Sequence, residues 1–412
     1  MTDPGTSSNS ASRALDLWLR DHEEGLIALR RNMHAHPELS GEEYATTELV
    51  SERLELAGLR PRMLASGTGL ICDLTPDSGE SERPVIALRA DLDALAMDDE
   101  KDVPYRSQVA GVTHACGHDV HTAVVLGTAL FFSHHRDQLP GPLRLLFQPA
   151  EERVPGGALD VIADGGLEGV DAVVGIHCEP KMDAGTIGLK TGPISSAADM
   201  ARITLIGPGG HTARPEMTVD LISIASMVIA ELPARVGARL TDPNDIKLVF
   251  GAIHAGDAAN VIPTHCELRA SIRTPSLPVW ESLREIVESE LAGLLGETSA
   301  QFELEYTHGV PPVVNDDAIT NVVKRAAIAE FGDDAIKDVE QSWGGDDFAW
   351  YTRAVSGTYV RLGVHSRHAG GATLDLHAGH FDVDEQAIAV GVRLLVATVR
   401  EFGASTGPGK LD

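Results

Sequence analysis

Histidine, cysteine and acidic residues are concentrated in one short segment of this sequence, His114-Ala115-Cys116-Gly117-His118-Asp119. Cys116 and His118 are separated by a single glycine and lie directly before an apolar run that predicts a helix. A thiolate and an imidazole at such a turn suit a soft or borderline cation such as Zn²⁺. The alternative is a buried structural cysteine beside surface histidines, and the density of the cluster favours the metal.

Acidic residues and a further histidine follow three predicted strands. The strand at 85–88 leads into Asp91 and Asp93, the strand at 143–147 into Glu151 and Glu152, and the strand at 173–176 into His177. In open α/β sheets, ligands bind outside the carboxyl ends of the strands. Each of these residues alone could be a solvated loop residue, but their joint placement predicts that they meet at one edge of a sheet.

Two more histidines give weaker signals. In Gly209-Gly210-His211 the glycines would let the backbone approach a ligand closely, and the imidazole could donate to a developing oxyanion. A turn with an incidental histidine explains the same residues. His377, in the pair Leu376-His377, is weak evidence by itself.

The elements that must position these residues alternate along the chain. Apolar residues recur at helical spacing over 13–33, and other apolar runs predict both helices and strands. Further predicted helices lie at 123–132, 317–331 and 385–402, and a fourth strand lies at 359–362. Strands that alternate with helices predict an α/β layer fold.

The middle of the chain has a different order of elements. Its pattern predicts β-α-β-β-α-β, the ferredoxin-like arrangement. The predicted elements lie at 201–207, 219–232, 247–253, 266–274, 278–295 and 302–306. We therefore expect a small α+β domain over 198–308, inserted into a larger α/β domain built from 13–197 and 309–412, with a flexible tail over 1–12.

Charge and composition exclude several classes of partner. The 412 residues include 33 Lys and Arg against 61 Asp and Glu, a formal net charge of −28. Such an acidic surface repels phosphate backbones and anionic membranes, so we expect no nucleic-acid or membrane partner. The four cysteines are widely spaced, no signal-peptide pattern is present, and the longest apolar stretch, 123–132, is too short to span a bilayer. We therefore expect a cytoplasmic protein with reduced thiols.

Eight motifs occur in order along the chain. They are 34–39 (HAHPEL), 89–95 (RADLDAL), 114–119 (HACGHD), 147–152 (FQPAEE), 209–211 (GGH), 260–263 (NVIP), 344–348 (GGDDF) and 376–377 (LH). Over about residues 25–400 the sequence resembles the metal-dependent N-acyl-amino-acid amidohydrolases and aminoacylases. That family includes hippurate hydrolase, indole-acetyl-amino-acid hydrolase and N-acetyldiaminopimelate deacetylase, and it is related to carboxypeptidase G.

The resemblance implies a two-metal centre in a domain with a mixed sheet and flanking helices, and a lid and dimerisation role for the inserted domain. The implied metal ligands are Cys116, His118, Glu152, His177 and His377, with the Cys116 thiolate bridging. Zn²⁺ fits a thiolate site best, and Mn²⁺, Co²⁺ or Ni²⁺ could also occupy it.

The resemblance also implies catalytic roles for carboxylates beside the ligands. Glu151 is the implied general base, which would take a proton from water and deliver it to the leaving amine. Asp91 and Asp93 would orient the metal ligands.

Residues of the inserted domain would act on the substrate. His211 would stabilise the transition state, supplied across the interface of a homodimer, while Asn260 and Arg273 would face the substrate from the lid. Arg273, and with it Arg214, could pair with a substrate carboxylate, because guanidinium groups suit carboxylates. A salt bridge on the surface or between domains is the alternative for both arginines.

The function implied is hydrolysis of the amide bond of an N-acyl amino acid, which releases a carboxylic acid and a free amino acid. One alternative is a metallo-dipeptidase or exopeptidase of the same wider family, although no recognition site for a free amine is identified. Another is a non-catalytic binding protein on this fold. Such proteins lose ligands, whereas all the implied ligands and the implied base are present here.

Overall fold

The structure, a computed structural model, describes residues 4–77, 83–366 and 375–405. The chain divides into two compact units. The larger unit comprises Met1–Gly192, Val314–Glu340 and Trp350–Asp412, and the inserted unit comprises Pro193–Val313 and Gln341–Ala349. The sequence placed the inserted domain at 198–308 and assigned 341–349 to the larger domain.

The regular elements of the described residues are as follows. The α-helices are α1 Pro4–Ala35, α2 Tyr44–Leu56, α3 His118–His134, α4 Ala158–Ala163, α5 Leu221–Ala238, α6 Leu277–Leu295, α7 Asp317–Phe331, α8 Ala349–Ala354 and α9 Gln386–Ser405. The strands are β1 Arg62–Met63, β2 Leu70–Leu74, β3 Ile86–Asp91, β4 Leu143–Gln148, β5 Ala172–Asp183, β6 Ile187–Leu189, β7 Gly192–Pro193, β8 Ala198–Ile206, β9 Gly210–His211, β10 Lys247–Ala255, β11 Val261–Ile262, β12 His265–Arg273, β13 Gln301–Val310, β14 Val314–Asn315, β15 Ile336–Asp338 and β16 Ser356–His365. Short 3₁₀ turns lie at Arg136–Gln138, Pro215–Met217 and Asp333–Ala335.

The larger unit is built on an eight-stranded mixed sheet in the order β1-β2-β4-β3-β5-β16-β6-β15. The central strands β4, β3, β5 and β16 run parallel, and β2 and β6 are antiparallel to their neighbours β4 and β16. β3 and β4 are buried along almost their whole length, as parallel strands covered by helices are. The predicted α/β class with a mixed sheet and flanking helices is confirmed.

Helix α3 is the central helix of this unit. Nearly all of its side chains are buried, and it packs against α1, α9 and strand β3 in one continuous apolar core. The chain passes from β3 through α3 to β4 on one side of β3, and later places β5 on the other side. In open α/β sheets, the crevice between two such strands is where ligands bind.

The inserted unit has a four-stranded antiparallel sheet in the order β10-β12-β8-β13. Helices α5 and α6 pack together on this sheet around a separate core. Asp220 caps α5 and Ser276 caps α6 by accepting backbone N–H bonds, which satisfies donors that a helix start leaves free. The order of elements, β-α-β-β-α-β, agrees with the sequence prediction.

Two sequence expectations differ from the structure. Helix α1 begins at Pro4, inside the segment expected to be a flexible tail, and proline is well suited to the first turn of a helix. Among the described residues one helix, α5, is long and apolar enough by length and composition to cross a membrane, whereas the sequence predicted no such segment. Its stripe Leu221, Ala225, Val228 and Leu232 lies in the core of the inserted unit, so we assign α5 to that core.

Candidate metal centre

The site lies where strands β3 and β5 separate. Their ladder ends at the pair Arg89 and Gly175, so Asp91 and His177 lie beyond the last paired residues. The strand containing His177 is longer than predicted: β5 continues to Asp183 because its other edge stays paired with β16. His177 therefore lies within a strand, and the crevice arises because only one of the two ladders ends.

The turn before α3 brings the cysteine motif against β5. Gly117 has φ +91°, and a Cβ atom there would lie 2.6 Å from the Sγ atom of Cys178. Only glycine tolerates both the left-handed conformation and this approach. As a result Cys116 lies beside β5, with its Sγ atom 3.5 Å from Nε2 of His177.

Cys116, His118 and Glu152 form a group whose ligand atoms all lie within 4.8 Å of one another. The Nε2 atom of His118 is 3.9 Å from Oε1 of Glu152 and 3.9 Å from Oε2 of Glu151. This Nε2 atom is buried and has no hydrogen-bond partner among the described residues. A buried polar atom normally has a partner, so the direction in which it points marks a place for a ligand.

His377 reaches the same group from the C-terminal part of the chain. Its Nε2 atom is 3.3 Å from Oε1 of Glu152, and its backbone N–H donates to the carbonyl of Ala115 at 2.8 Å. Its side chain is 53% exposed and its φ is +56°. The structure thus brings together all five residues that the sequence predicted as ligands.

Asp93 fixes two of these residues. Its backbone carbonyl accepts from Nδ1 of His118 at 2.8 Å, which places the ring proton on Nδ1 and leaves the lone pair of Nε2 for a cation. Its carboxylate accepts from the backbone N–H of Glu152 at 2.9 Å and from the hydroxyl of Ser40 at 2.6 Å. Asp93 therefore holds His118 and Glu152 in place.

Burial and charge set the protonation of the site without a cation. Burial raises the pKa of the Cys116 thiol well above its usual value, although His118 opposes this. Burial would lower the pKa of His118, but the carboxylates of Asp91 and Asp93 outweigh it and raise that pKa. Burial, assisted by the cation of Arg361, lowers the pKa of His177. A cation bound to thiolate and imidazole must therefore displace protons, so its affinity falls at low pH.

The inserted unit separates its predicted site residues into two groups. His211 and Asn260 lie together, because β9 pairs with β11 and the backbone N–H of Thr212 donates to the carbonyl of Asn260 at 3.3 Å. The N–H of Arg214 donates to the carbonyl of His211, so Arg214 belongs to this group. Arg273 lies at the opposite end of β12, where it donates to the carbonyl of Trp343 at 3.2 Å.

The two groups lie apart within the inserted unit. The sequence prediction has both Asn260 and Arg273 face the substrate from the lid. The residues of β12 between them correspond to roughly 26 Å of extended chain at about 3.3 Å per residue. The pattern of residues could not show this, because it does not reveal which end of a strand faces a ligand.

Comparisons with known proteins identify the family. Residues 87–401 match the model of peptidase family M20/M25/M40. N-acetyl-L-cysteine deacetylase of Bacillus subtilis (strain 168) is 39% identical over 394 residues, which cover 95% of this chain and 91% of that protein. The chain belongs to peptidase family M20/M25/M40. It is a hydrolytic enzyme, and the resemblance inferred from its motifs is confirmed.

Two further relatives add detail to the M20 assignment. The crystal structure of the YXEP protein of Bacillus subtilis, a dinuclear metal-binding peptidase of the M20 family, matches with a TM-score of 0.81 and 32% identity over 92% of this chain and 98% of that one. A Rhodococcus jostii (strain RHA1) protein named "Putative glutamate--cysteine ligase 2-3" is 42% identical over 378 residues. These residues are 92% of this chain but 47% of that protein, so the M20 chain spans about half of its length.

A second ionic network in this M20 chain was not predicted as functional. The carboxylate of Asp119 pairs with Nε of Arg30 and with Nδ1 of His34, both at 2.7 Å. Nε2 of His34 lies 3.3 Å from Asp99, and Arg30 also approaches Glu385 at 3.3 Å. The sequence signal for this network was the motif 34–39, which contains His34 but gave it no role.

This network connects the segments that hold the candidate ligands. Asp119 follows His118 on α3, and Glu385 follows the segment of His377. Arg30, which is fully buried on α1, therefore holds both segments against one helix.

Proposed function

We propose that this enzyme hydrolyses the amide bond of N-acyl amino acids at a centre of two divalent metal ions. The observation that carries the proposal is the buried Nε2 atom of His118, which faces Cys116 and Glu152 and has no hydrogen-bond partner among the described residues. Relatives named for deacetylation of N-acetyl-L-cysteine and for dinuclear metal binding support it.

The donor set fits the proposed metal centre. Cys116, His118, Glu152, His177 and His377 offer one thiolate, one carboxylate and three imidazoles. Thiolate with imidazole favours Zn²⁺ among common divalent cations, and Mn²⁺, Co²⁺ and Ni²⁺ are the alternatives to be distinguished. When bound, such ions would lower the pKa of a bound water and polarise the scissile carbonyl.

The protein supplies the proton transfer through Glu151. Its Oε2 atom lies 3.9 Å from Nε2 of His118, so it borders the ligand group, and its side chain is 10% exposed. A carboxylate in this position takes a proton from the attacking water on Oε2 and delivers it to the leaving amine. Of the two adjacent carboxylates, Glu152 would bind the metal, and Asp93 keeps Glu152 in place.

A homodimer would complete the site. His211 and Arg273 of one chain lie at opposite ends of the inserted sheet, too far apart to contact one small substrate. The outer edge of β10 pairs with no described strand, and Val249 and Met200 lie exposed in one row of this sheet. An exposed edge and apolar face favour association with a second copy. We propose that His211 donates to the oxyanion at the centre of the partner.

Mixing two inactive variants tests this dimer. His211→Ala and Glu151→Gln subunits, each inactive alone, should regain about a quarter of wild-type activity when mixed equally, because half of random pairs are hybrids with one complete site. Absence of recovery, with hybrids shown by mass spectrometry, would assign His211 to its own chain.

A compartment that keeps thiols reduced suits the proposed thiolate ligand. Cys72, Cys116, Cys178 and Cys266 are all buried and free in the structure. This supports the proposal of a cytoplasmic location.

A substrate panel tests the proposed reaction. The purified, metal-loaded chain is assayed for release of free amine from N-acetyl-L-cysteine, other N-acetyl amino acids, hippurate and unblocked dipeptides, with Glu151→Gln as control. We expect hydrolysis of the blocked amino acids, N-acetyl-L-cysteine included, that a chelator abolishes. Preference for unblocked dipeptides would establish an exopeptidase instead, and bound metal without turnover would establish a binding protein.

A further inference from the structure

His121 lies inside the crevice but has no role in the proposed reaction. It follows His118 by one turn of α3 and is completely buried. Its ring centroid is 5.5 Å from that of His118 and 5.2 Å from that of His177. Asp91, His118 and His121 also form a group close enough to hold a cation, so a ligand role must be compared with a positioning role.

The hydrogen bonds of His121 decide between these roles. Its Nε2 atom accepts from the backbone N–H of Cys178 at 2.9 Å. An accepting Nε2 carries no proton, so the proton is on Nδ1, which donates to Oδ1 of Asp91 at 2.6 Å. Both ring nitrogens are therefore engaged, and no lone pair remains for a metal ion.

The imidazole takes the place of a hydrogen bond between strands. The β3–β5 ladder ends at Arg89 and Gly175, whereas on the other side of β5 Cys178 still pairs with Leu362 of β16. Beyond that end, the N–H of Cys178 is satisfied by His121 instead of by β3. The ring thus keeps two neighbouring parallel strands apart at the point where the candidate ligands enter.

The same ring fixes Asp91. Oδ1 of Asp91 accepts from His121, and Oδ2 accepts from Nη1 of Arg89 at 2.5 Å. Arg89 is held in turn by Gln148 at 2.8 Å. Both carboxylate oxygens of Asp91 are thus held by hydrogen bonds, and Oδ2 lies 3.5 Å from Nε2 of His118.

We infer that His121 is a positioning residue: it holds the crevice between β3 and β5 open and fixes the Asp91 carboxylate beside His118, without binding metal itself. The part of this inference that concerns metal affinity rests on the proposed metal centre. Its structural part, the tautomer and the bond to Cys178, concerns the metal-free protein.

Metal binding separates the two roles. Zn²⁺ affinity and stoichiometry are measured by competition with a chromophoric chelator for wild type, His121→Ala and His121→Asn. Asparagine keeps an N–H donor for Asp91. We expect unchanged stoichiometry, an affinity about 10–100-fold lower in His121→Ala, and a smaller loss in His121→Asn. Thr128→Val is the matched control, since Thr128 is buried on the same helix and its hydroxyl donates to the carbonyl of Val124 in that helix. The Zn²⁺ affinity of this variant should equal that of the wild type.

Two results would overturn the inference. Loss of one metal ion per chain in both His121 variants would make His121 a ligand. Equal affinity in wild type and His121→Ala would remove its positioning role.

A measurement on the metal-free wild type remains decisive if the alanine variant fails to fold. ¹⁵N NMR should show His121 protonated on Nδ1 only, and the amide of Cys178 should exchange slowly. A proton on Nε2 would contradict the inference even in a chain that shows no hydrolysis. Conversely, absent hydrolysis with the expected tautomer and metal affinities would reject the proposed function alone.

Discussion

The turn at residues 114–119 separates two buried clusters of ionisable residues that differ in how their atoms are partnered. On one side Cys116 and His118 face Glu152, and Nε2 of His118 has no hydrogen-bond partner among the described residues. On the other side the carboxylate of Asp119 is paired with both Arg30 and His34. One motif thus contributes to a cluster that needs a cation and to a cluster that already contains its own.

This difference in partners distinguishes a structural cluster of buried charges from a candidate metal centre. Burying an ionised group costs free energy unless a partner compensates. In the Arg30 network the protein supplies the partner, so the network holds structure. In the Cys116 cluster Asp91 lies 3.5 Å from Nε2 of His118, yet this buried nitrogen makes no hydrogen bond among the described residues, which leaves its lone pair for a metal ion.

Replacing the proposed base Glu151 should strongly reduce turnover at the Cys116 cluster without affecting the Arg30 network. Glu151→Gln keeps the shape of the side chain but cannot accept a proton, so we expect kcat to fall by about 10²–10⁴-fold. Metal content and thermal stability should remain those of the wild type. Steady-state kinetics with elemental analysis checks this, and near-normal turnover would remove Glu151 from its role.

Removing the cation of the second cluster should act on stability instead. Arg30→Met removes the buried guanidinium that pairs with Asp119 and Glu385, and losing one member of a buried ion pair costs about 3–5 kcal/mol. Urea unfolding measures the difference. The matched control is Asp73→Asn, which breaks the pair of Asp73, 54% exposed, with Arg144 and should cost less than about 1 kcal/mol. Similar losses of unfolding free energy in both variants would show that the buried Arg30 network stabilises the fold no more than an exposed ion pair does.

The acid end of the stability curve gives a smaller test. Burial would raise the pKa of Asp99, but hydrogen bonds from His34, the N–H of Ser107 and Lys101 outweigh it and hold that pKa well below its usual value. Asp99 therefore stabilises the fold above its unfolded pKa of about 3.9, and this contribution is lost as pH falls toward the folded pKa.

The variant Asp99→Asn removes that dependence. It should be less stable at pH 7 by roughly 1–3 kcal/mol, and its stability should fall less steeply below about pH 4. Parallel unfolding curves of wild type and variant across this range would contradict the assigned pairing.

The sequence predicted elements whose pattern is local. Helix α7 has the predicted bounds, and the order of elements in the inserted unit agrees. Helix α3 begins at His118 rather than at residue 123, because its first turns carry polar residues that are buried only through tertiary contacts. Strand β5 continues past His177 because β16 supports it, which no local pattern reveals.

Long-range pairs explain the parts that could not be predicted. His34 and Asp119 are 85 residues apart, and Arg30 and Glu385 are 355 apart, so no spacing links them. The candidate ligands could be named from their motifs. In contrast, the position of His121 between β3 and β5, and the distance between Asn260 and Arg273, depend on which strands are neighbours.

The central claim is that Cys116, His118, Glu152, His177 and His377 hold two cations. Titration of the metal-free protein with Co²⁺ under reducing conditions tests it most directly, because a cobalt–thiolate bond gives a charge-transfer absorption. We expect saturation at two ions per chain with this absorption, which Cys116→Ala should abolish together with tight binding. A chain that binds no Co²⁺, or a Cys116→Ala variant with the same absorption and stoichiometry, would contradict the claim.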